Sequence, residues 1–216
     1  IELIYELRWY HELIRPYGWI GSFFLKGVML LHTEYEVRVL EINKDEVIKK
    51  LKSLNATFQW DAIQRRYVYD FIPKVDGKWI RLRTNGIKST LTIKNLVSSE
   101  IDGTQELEIE VDNFERCNLI LKELGYEPKG YQENRRRQYL LNGVEIDIDS
   151  WPLLPDYLEI EGPSEEAVFN ALEVLGFSKE NSTTRDVEGI FLDYGYKLDE
   201  IYDLKLEENR KEGLEE

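Results

Sequence analysis

Residues 33–40 read T-E-Y-E-V-R-V-L, and the alternation in this stretch decides the fold. Successive side chains of a strand point to opposite faces. As a strand, the segment sends Glu34, Glu36 and Arg38 to one side and Tyr35, Val37 and Val39 to the other. A single strand of this kind also suits a solvated antiparallel face, but here the pattern recurs. Arg81 and Arg83 flank Leu82, and Thr92 and Lys94 flank Ile93. Glu106, Glu108 and Glu110 alternate with Leu107 and Ile109, while Glu145, Asp147 and Asp149 alternate with Ile146 and Ile148. Arg135 and Arg137 are two apart, as are Glu159 and Glu161 around Ile160. One face of a whole sheet is therefore lined with charge, acidic on some strands and basic on others.

Turn and helix signals separate these strands. Asp76-Gly77, Asn85-Gly86, Asp102-Gly103 and Asn142-Gly143 are dipeptides of the kind that close two-residue hairpins. Such turns join antiparallel neighbours and argue against a parallel α/β sheet. Asn43 reads as an N-cap, followed by Asp45 and Glu46 and then an apolar stripe of Val47, Ile48, Leu51 and Leu54. A second helix spans 114–124 and ends at Gly125; a third spans 164–175, capped by Ser164 and ended by Gly176. The fold class is α+β, as an open sheet or a closed barrel. Helices can cover the apolar faces, which leaves the charged faces to bulk water or to a lumen. Closing eight or so strands on themselves would remove the edges and gather the charge in one channel.

Composition narrows the function. The chain has 216 residues, 42% of them hydrophobic, which suits one domain with appendages. Its net charge of −14 argues against a nucleic-acid partner, which calls for a basic footprint. The lone Cys117 rules out an internal disulfide and a multi-cysteine zinc site, and it suggests a reducing compartment, so the expected location is cytoplasmic. His11 and His32 lie outside the charged motifs and read as bystanders, so a metal site would be built from oxygen ligands. The apolar run 19–31 is broken by Lys26, is too short to span a bilayer, and lacks the basic start of a signal peptide. Residues 1–28 are expected to be an N-terminal appendage, or translated sequence ahead of a start at Met29, with a short docking helix as the runner-up. The main domain is expected over 29–204 and an acidic tail over 205–216; the stretch 198–216 reads as a partly helical, solvated segment. G-I-K-S-T at 86–90 lacks the earlier glycine and the Gly-Lys pair of a phosphate-binding loop and reads as a turn followed by a strand start.

Magnitudes favour the lumen as the site of chemistry. Carboxylates at i and i+2 of a strand stand about 6.6 Å apart. Their repulsion is about 2.5 kcal/mol per pair at an effective dielectric near 20. A lumen holding Glu34, Glu36, Glu108, Glu110, Asp149, Glu159 and Glu161 is costly unless cations sit among them. Oxygen ligands suit Mg²⁺ or Mn²⁺, whose shell is commonly completed by waters and substrate phosphates. Arg38, Arg81, Arg83, Lys94, Arg135 and Arg137 supply the opposite sign, and arginine forks match phosphate geometry. An acidic end and a basic end together fit a metal-bridged polyphosphate.

These motifs resemble the CYTH superfamily, named for class IV adenylate cyclase and thiamine triphosphatase and also called triphosphate tunnel metalloenzymes. E-Y-E-V-R at 34–38 is similar to the family's E-x-E-x-K signature. The likeness continues through R-L-R at 81–83, T-I-K at 92–94, E-L-E-I-E at 106–110, R-R-R-Q-Y at 135–139, I-D-I-D at 146–149 and Y-L-E-I-E-G at 157–162. Each motif alone is weak; the ordered set, across about 34–204, is strong. The resemblance implies a closed eight-stranded antiparallel barrel, with helices outside, that binds a triphosphate with Mg²⁺ or Mn²⁺. It implies metal ligation by Glu34, Glu36, Glu159 and Glu161, with Glu108, Glu110 and Asp149 supporting or joining them. It implies phosphate binding by Arg38, Arg81, Arg83, Lys94, Arg135 and Arg137, and by Arg66 as a weaker candidate. Glu36, Asp149 and Arg38 are the expected catalytic set.

Two departures stand out. Arg38 replaces the signature lysine, which keeps the charge but removes a titratable amine. W-P-L-L-P-D-Y at 151–157 stands where a Gly-Leu-Gly type of turn is usual. The implied activity is conversion of ATP to cyclic AMP and pyrophosphate, preferred narrowly over inorganic, nucleoside or thiamine triphosphatase activity. A non-catalytic polyphosphate or nucleotide sensor is the third reading. The expected partner is the small triphosphate, with no membrane partner; a homodimer is compatible with a barrel carrying outer helices.

Overall fold

The structure is a computed structural model that describes residues 31–207. The expectation of an appendage over 1–28 lies outside the described residues. The charge-alternating segments form the strands β1 (His32–Val39), β2 (Thr57–Asp70), β3 (Lys78–Thr84), β4 (Ser89–Leu96), β5 (Thr104–Val111), β6 (Gly130–Leu141), β7 (Val144–Ser150) and β8 (Tyr157–Gly162). Their order in space is β2-β3-β4-β5-β1-β8-β7-β6, and pairing of β2 with β6 closes the ring. The result is the expected closed, eight-stranded antiparallel barrel. Four helices accompany it: α1 (Lys44–Ser53), α2 (Phe114–Glu123), α3 (Glu165–Leu175) and α4 (Val187–Asp193).

The helices begin where their caps dictate. Asn43 Oδ1 accepts from the Glu46 amide at 3.2 Å, and Ser164 Oγ accepts from the Ala167 amide at 3.2 Å. Each satisfies a donor that the helix itself leaves orphaned. Gly176, at φ +97°, ends α3 in the left-handed conformation that glycine adopts without steric cost. Of the four glycine dipeptides, only Asn142-Gly143 forms a two-residue turn, with φ of +52° and +83° at its two positions. The other three sit in longer connections between antiparallel partners. Asn85 shows why: its Oδ1 accepts from both the Ile87 and Lys88 amides, building a four-residue loop around the side chain.

The apolar faces look outward, under the helices. Val37 and Val39 of β1, Ile146 and Ile148 of β7, and Leu158 and Ile160 of β8 pack beneath Val47 and Leu51 of α1 and Val168, Leu172 and Leu175 of α3. On the other side α2 lays Phe114 and Leu121 over Tyr69, Ile80 and Leu82. Burying one such side chain fully is worth about 1.5–3 kcal/mol, so these two layers fix which face of each strand points inward.

A third cluster gathers Trp151, Leu154 and Tyr157 with Ile190 and Phe191 of α4 and with Leu198 and Leu204. This corrects the expectation of a solvated helical tail. The described part of the tail holds a 3₁₀ turn at Leu198–Glu200 and a short strand β9 (Asp203–Leu204) that pairs parallel with β6. Leu204 and Leu206 are buried two residues apart, the period of a strand rather than of a helix. No helix among the described residues is long and apolar enough to cross a membrane.

Candidate active site in the barrel lumen

The inward faces follow from the register. β1 lies antiparallel to β8, with Glu36 opposite Glu161 and Arg38 opposite Glu159. This brings carboxylate oxygens of Glu36, Glu159 and Glu161 within 4.8 Å of one another. Arg38 is only 5% exposed and is fully engaged. It donates from Nε to Glu159 at 2.8 Å, from Nη2 to Glu36 at 2.9 Å and from Nη1 to the Arg185 carbonyl at 2.7 Å. Glu34 is held by Lys94 Nζ at 2.7 Å, and the same ammonium lies 3.5 Å from Glu106.

Across the lumen, β2 and β3 contribute Arg66, Arg81 and Arg83. Arg81 Nη2 lies 3.6 Å from Glu108 and 3.8 Å from Glu106, and Arg83 reaches Glu108 only at 4.0 Å. Arg66 is buried with no carboxylate partner among the described residues; its Nη2 donates to Gln64 and Asn134. The Nε atoms of Arg66 and Arg81 are buried without an acceptor.

Electrostatics separates the two walls. Burial and the neighbouring Glu34, Glu36 and Glu145 push the Glu161 carboxyl well above the usual range. Burial also raises Glu36, against the pull of Arg38, and raises Glu34 against Lys94. Burial works against the Glu159 charge too, yet Arg136 and Arg38 hold that carboxyl well below its ordinary value. On the opposite wall, burial and then the charges of Arg81 and Arg136 pull Arg83 down to about 10. Burial, Arg83 and Arg81 lower Arg66 still further. The acidic wall is therefore short of cations, and the basic wall is short of anions.

The lumen gathers most of the expected residues and parts company with some. Glu36, Glu159 and Glu161 form one group. Glu34 stands beside it on Lys94. Glu108 belongs instead to the arginine wall, accepting from Thr92 Oγ1 at 2.7 Å. Glu110 sits at the rim with a 70% exposed side chain, paired with Lys88 at 2.6 Å. Asp149 is fully buried and accepts from Asn134 and Arg136.

Arg135 and Arg137 do not line the lumen. They lie on the outer face, where both grip Asp61. The inward residue is Arg136, which reaches Asp147 at 2.6 Å, Asp149 at 2.5 Å and Glu159 at 2.8 Å. The run R-R-R permits either parity, and the expected pair Arg135 and Arg137 is the outer one. The Asn142-Gly143 turn holds the missing signal. It sets Leu141 opposite Val144, hence Arg137 opposite Ile148 and Arg136 opposite Asp149. Because Ile148 faces the outer core, Arg137 must do so as well.

Comparison with known proteins agrees with this geometry. The CYTH domain model matches residues 32–186. A Methanocaldococcus jannaschii protein, provisionally named an adenylate cyclase, is 24% identical over 161 residues, spanning 68% of this chain and 92% of the relative. A Pyrococcus horikoshii protein of known structure superposes with a TM-score of 0.62 at 25% identity, covering 71% of this chain and 96% of its own. A Hippeastrum protein described as having a dominant triphosphatase activity superposes with a TM-score of 0.52 at 17% identity, covering 76% and 95%. With the family model spanning most of a barrel whose lumen is charged on every strand, this chain belongs to the CYTH family.

Proposed function

We propose that this chain is a Mg²⁺- or Mn²⁺-dependent enzyme that acts on a triphosphate in its tunnel, converting ATP to cyclic AMP and pyrophosphate. The observation that carries the reading is the presence of two poles in one lumen that their own ion pairs leave incompletely balanced, at Glu161 and at Arg66. One is the carboxylate trio Glu36, Glu159 and Glu161; the other is the arginine group Arg66, Arg81 and Arg83. An all-oxygen donor set with strongly raised proton affinity at Glu161 fits a hard divalent cation held by these three groups. When bound, such a cation polarises a phosphoryl oxygen and acidifies the attacking hydroxyl.

The chain's own residues supply position and charge. Arg66, Arg81 and Arg83 grip the phosphate oxygens and set the chain in line for displacement, while Lys94 braces Glu34 and Glu106. Arg38 braces Glu36 and Glu159, so its guanidinium orients the acidic pole and takes no proton. Arg136 and Asn134 do the same for Asp149. In the cyclase step the ribose 3′-oxygen gives up its proton to solvent and forms a bond to the α-phosphorus, the bond from that phosphorus to the oxygen bridging to the β-phosphate breaks, and pyrophosphate leaves within reach of the arginine wall.

A second reading, hydrolysis of the terminal phosphate by water, is favoured by the space available. The cavity that Glu36, Arg38, Arg66, Arg81 and Lys94 line at one end of the lumen has a free volume of about 100 Å³, well below the roughly 300–1,000 Å³ of a pocket for a drug-sized ligand. That volume suits phosphates better than a nucleoside, and the Hippeastrum protein sets a precedent. Incubation with Mn²⁺ or Mg²⁺ and either ATP or inorganic triphosphate, with cyclic AMP resolved from orthophosphate, decides between them. Cyclic AMP with stoichiometric pyrophosphate is the expected result; orthophosphate alone establishes the hydrolase. Binding without turnover of any triphosphate overturns both and leaves a sensor.

A further inference from the structure

The Pro-rich segment 151–157 joins β7 to β8, and its first residue sits against a lumen arginine. Trp151 is 1% exposed. Its indole Nε1 donates to Tyr157 Oη at 2.9 Å, and the edge of Phe191 from α4 meets its ring at 5.7 Å and 82°. The ring is thus clamped on two sides. Over its face lies the Arg66 guanidinium, 4.6 Å from the ring centroid. Arg66 is the lumen arginine with no carboxylate partner among the described residues and with a buried Nε lacking an acceptor. A buried, unpaired guanidinium needs support that does not consume its charge. An indole face provides it, because the ring quadrupole attracts the cation while leaving its N–H edge free.

We propose that Trp151 is the positioning residue for Arg66, holding the guanidinium plane at the end of the tunnel so that its free edge receives the phosphate chain. This rests on the triphosphate reading above. A carboxylate in the same place would neutralise Arg66 and compete with the ligand. The indole lets the arginine stay both ordered and available, and α4 is recruited through Phe191 to keep the indole still.

The test is equilibrium binding of inorganic triphosphate with Mn²⁺, together with steady-state kinetics on the substrate the enzyme turns over. Trp151→Leu removes the ring face and is expected to raise Kd and KM about tenfold while kcat stays within about twofold. Trp151→Phe keeps a ring, though a weaker one, and is expected to cost about twofold to threefold. In an Arg66→Ala background neither substitution should weaken binding further. Should the leucine variant fail to fold, the Trp151→Phe and Arg66→Ala cycle carries the same comparison. Equal losses with and without Arg66, or wild-type affinity in Trp151→Leu, overturn the proposal. A wild-type protein that binds no triphosphate overturns the functional reading instead, so the two failures are distinct.

Discussion

Replacing Arg136 by methionine tests the register of the whole site. The side chain is buried and satisfies three carboxylates, Asp147, Asp149 and Glu159, at 2.6, 2.5 and 2.8 Å. Methionine fills much of the volume but leaves three buried acids without their shared cation. Removing one partner of a buried ion pair costs about 3–5 kcal/mol. For a domain of this size each kcal/mol moves Tm by about 2–4 °C, so a drop of about 6–20 °C is expected. The adjacent substitution Arg137→Met is the control. Arg137 lies outside the barrel with a 27% exposed side chain, and Asp61 keeps Arg135 at 2.7 Å. Its loss should stay at or below about 1 kcal/mol.

The pH dependence has a definite sign. Burial already lifts Asp147 to about 7 with Arg136 in place. Without Arg136, Asp147 loses the charge that pulls it down and holds a proton near pH 5 that the unfolded chain does not. The variant is then stabilised by acid relative to pH 8, and its gap from wild type narrows. Thermal unfolding followed by circular dichroism at the two pH values measures this. Equal losses for Arg136→Met and Arg137→Met, or a gap that is unchanged by pH, would refute the assignment of the inward arginine.

Four further outcomes follow from the same geometry. Glu161→Gln and Glu36→Gln should each abolish metal-dependent turnover with the circular dichroism spectrum unchanged; full activity in either would remove it from the cation group. Arg137→Ala should leave KM for the triphosphate within about twofold, because Arg137 faces Asp61 outside the lumen, and a tenfold rise would place it inside. In the presence of a chelator, Tm should rise as pH falls from about 8 to 6, because Glu161, Glu36 and Asp147 take up protons in the fold that they do not take up when unfolded; a slope of the opposite sign counts against the buried acidic pole. Leu172→Ala, at a fully buried position between α3 and the barrel, should cost about 2–5 kcal/mol in denaturant unfolding, and a loss under 1 kcal/mol would show that α3 is not part of the core.

How far the sequence could be read depended on whether a position had an apolar partner to fix its parity. In β1 and β8 the charged residues alternate with Tyr, Val, Leu or Ile, and the inward faces of Glu34, Glu36, Arg38, Glu159 and Glu161 were legible from that alone. In β6 the three consecutive arginines carry no such alternation. Their parity comes through the hairpin from β7, a contact between strands that periodicity within one strand does not see. The places of the expected supporting carboxylates were hard to read for a related reason. Period 2 puts Glu106, Glu108 and Glu110 on one face, but which neighbours each meets depends on the pairing of β4 with β3 and β5, which sets Glu108 beside Arg81 and leaves Glu110 exposed beside Lys88. The C-terminal stretch was read by its net charge. Its three buried leucines, Leu198, Leu204 and Leu206, are what anchor it.

The arrangement of charge separates a ligand site from a solvated sheet more firmly than the number of charges does. A water-facing sheet gains little from ordering its acids and bases, since each ion is screened where it stands. In this lumen the pairs are sorted. Arg38 and Arg136 are spent on carboxylates, and so is Lys94, which braces Glu34 and Glu106. What is left over is a carboxyl at Glu161 without a bound cation among the described residues and a guanidinium at Arg66 without an anion. Arg66 is buried and Glu161 is partly buried, so each imbalance is costly to leave unpaired. A divalent cation relieves the first and a phosphate chain the second. Because a metal-bound polyphosphate carries both charges in one body, each component must raise the other's affinity by the same factor. On the proposed function the lumen binds the pair, and either component alone leaves one pole unbalanced.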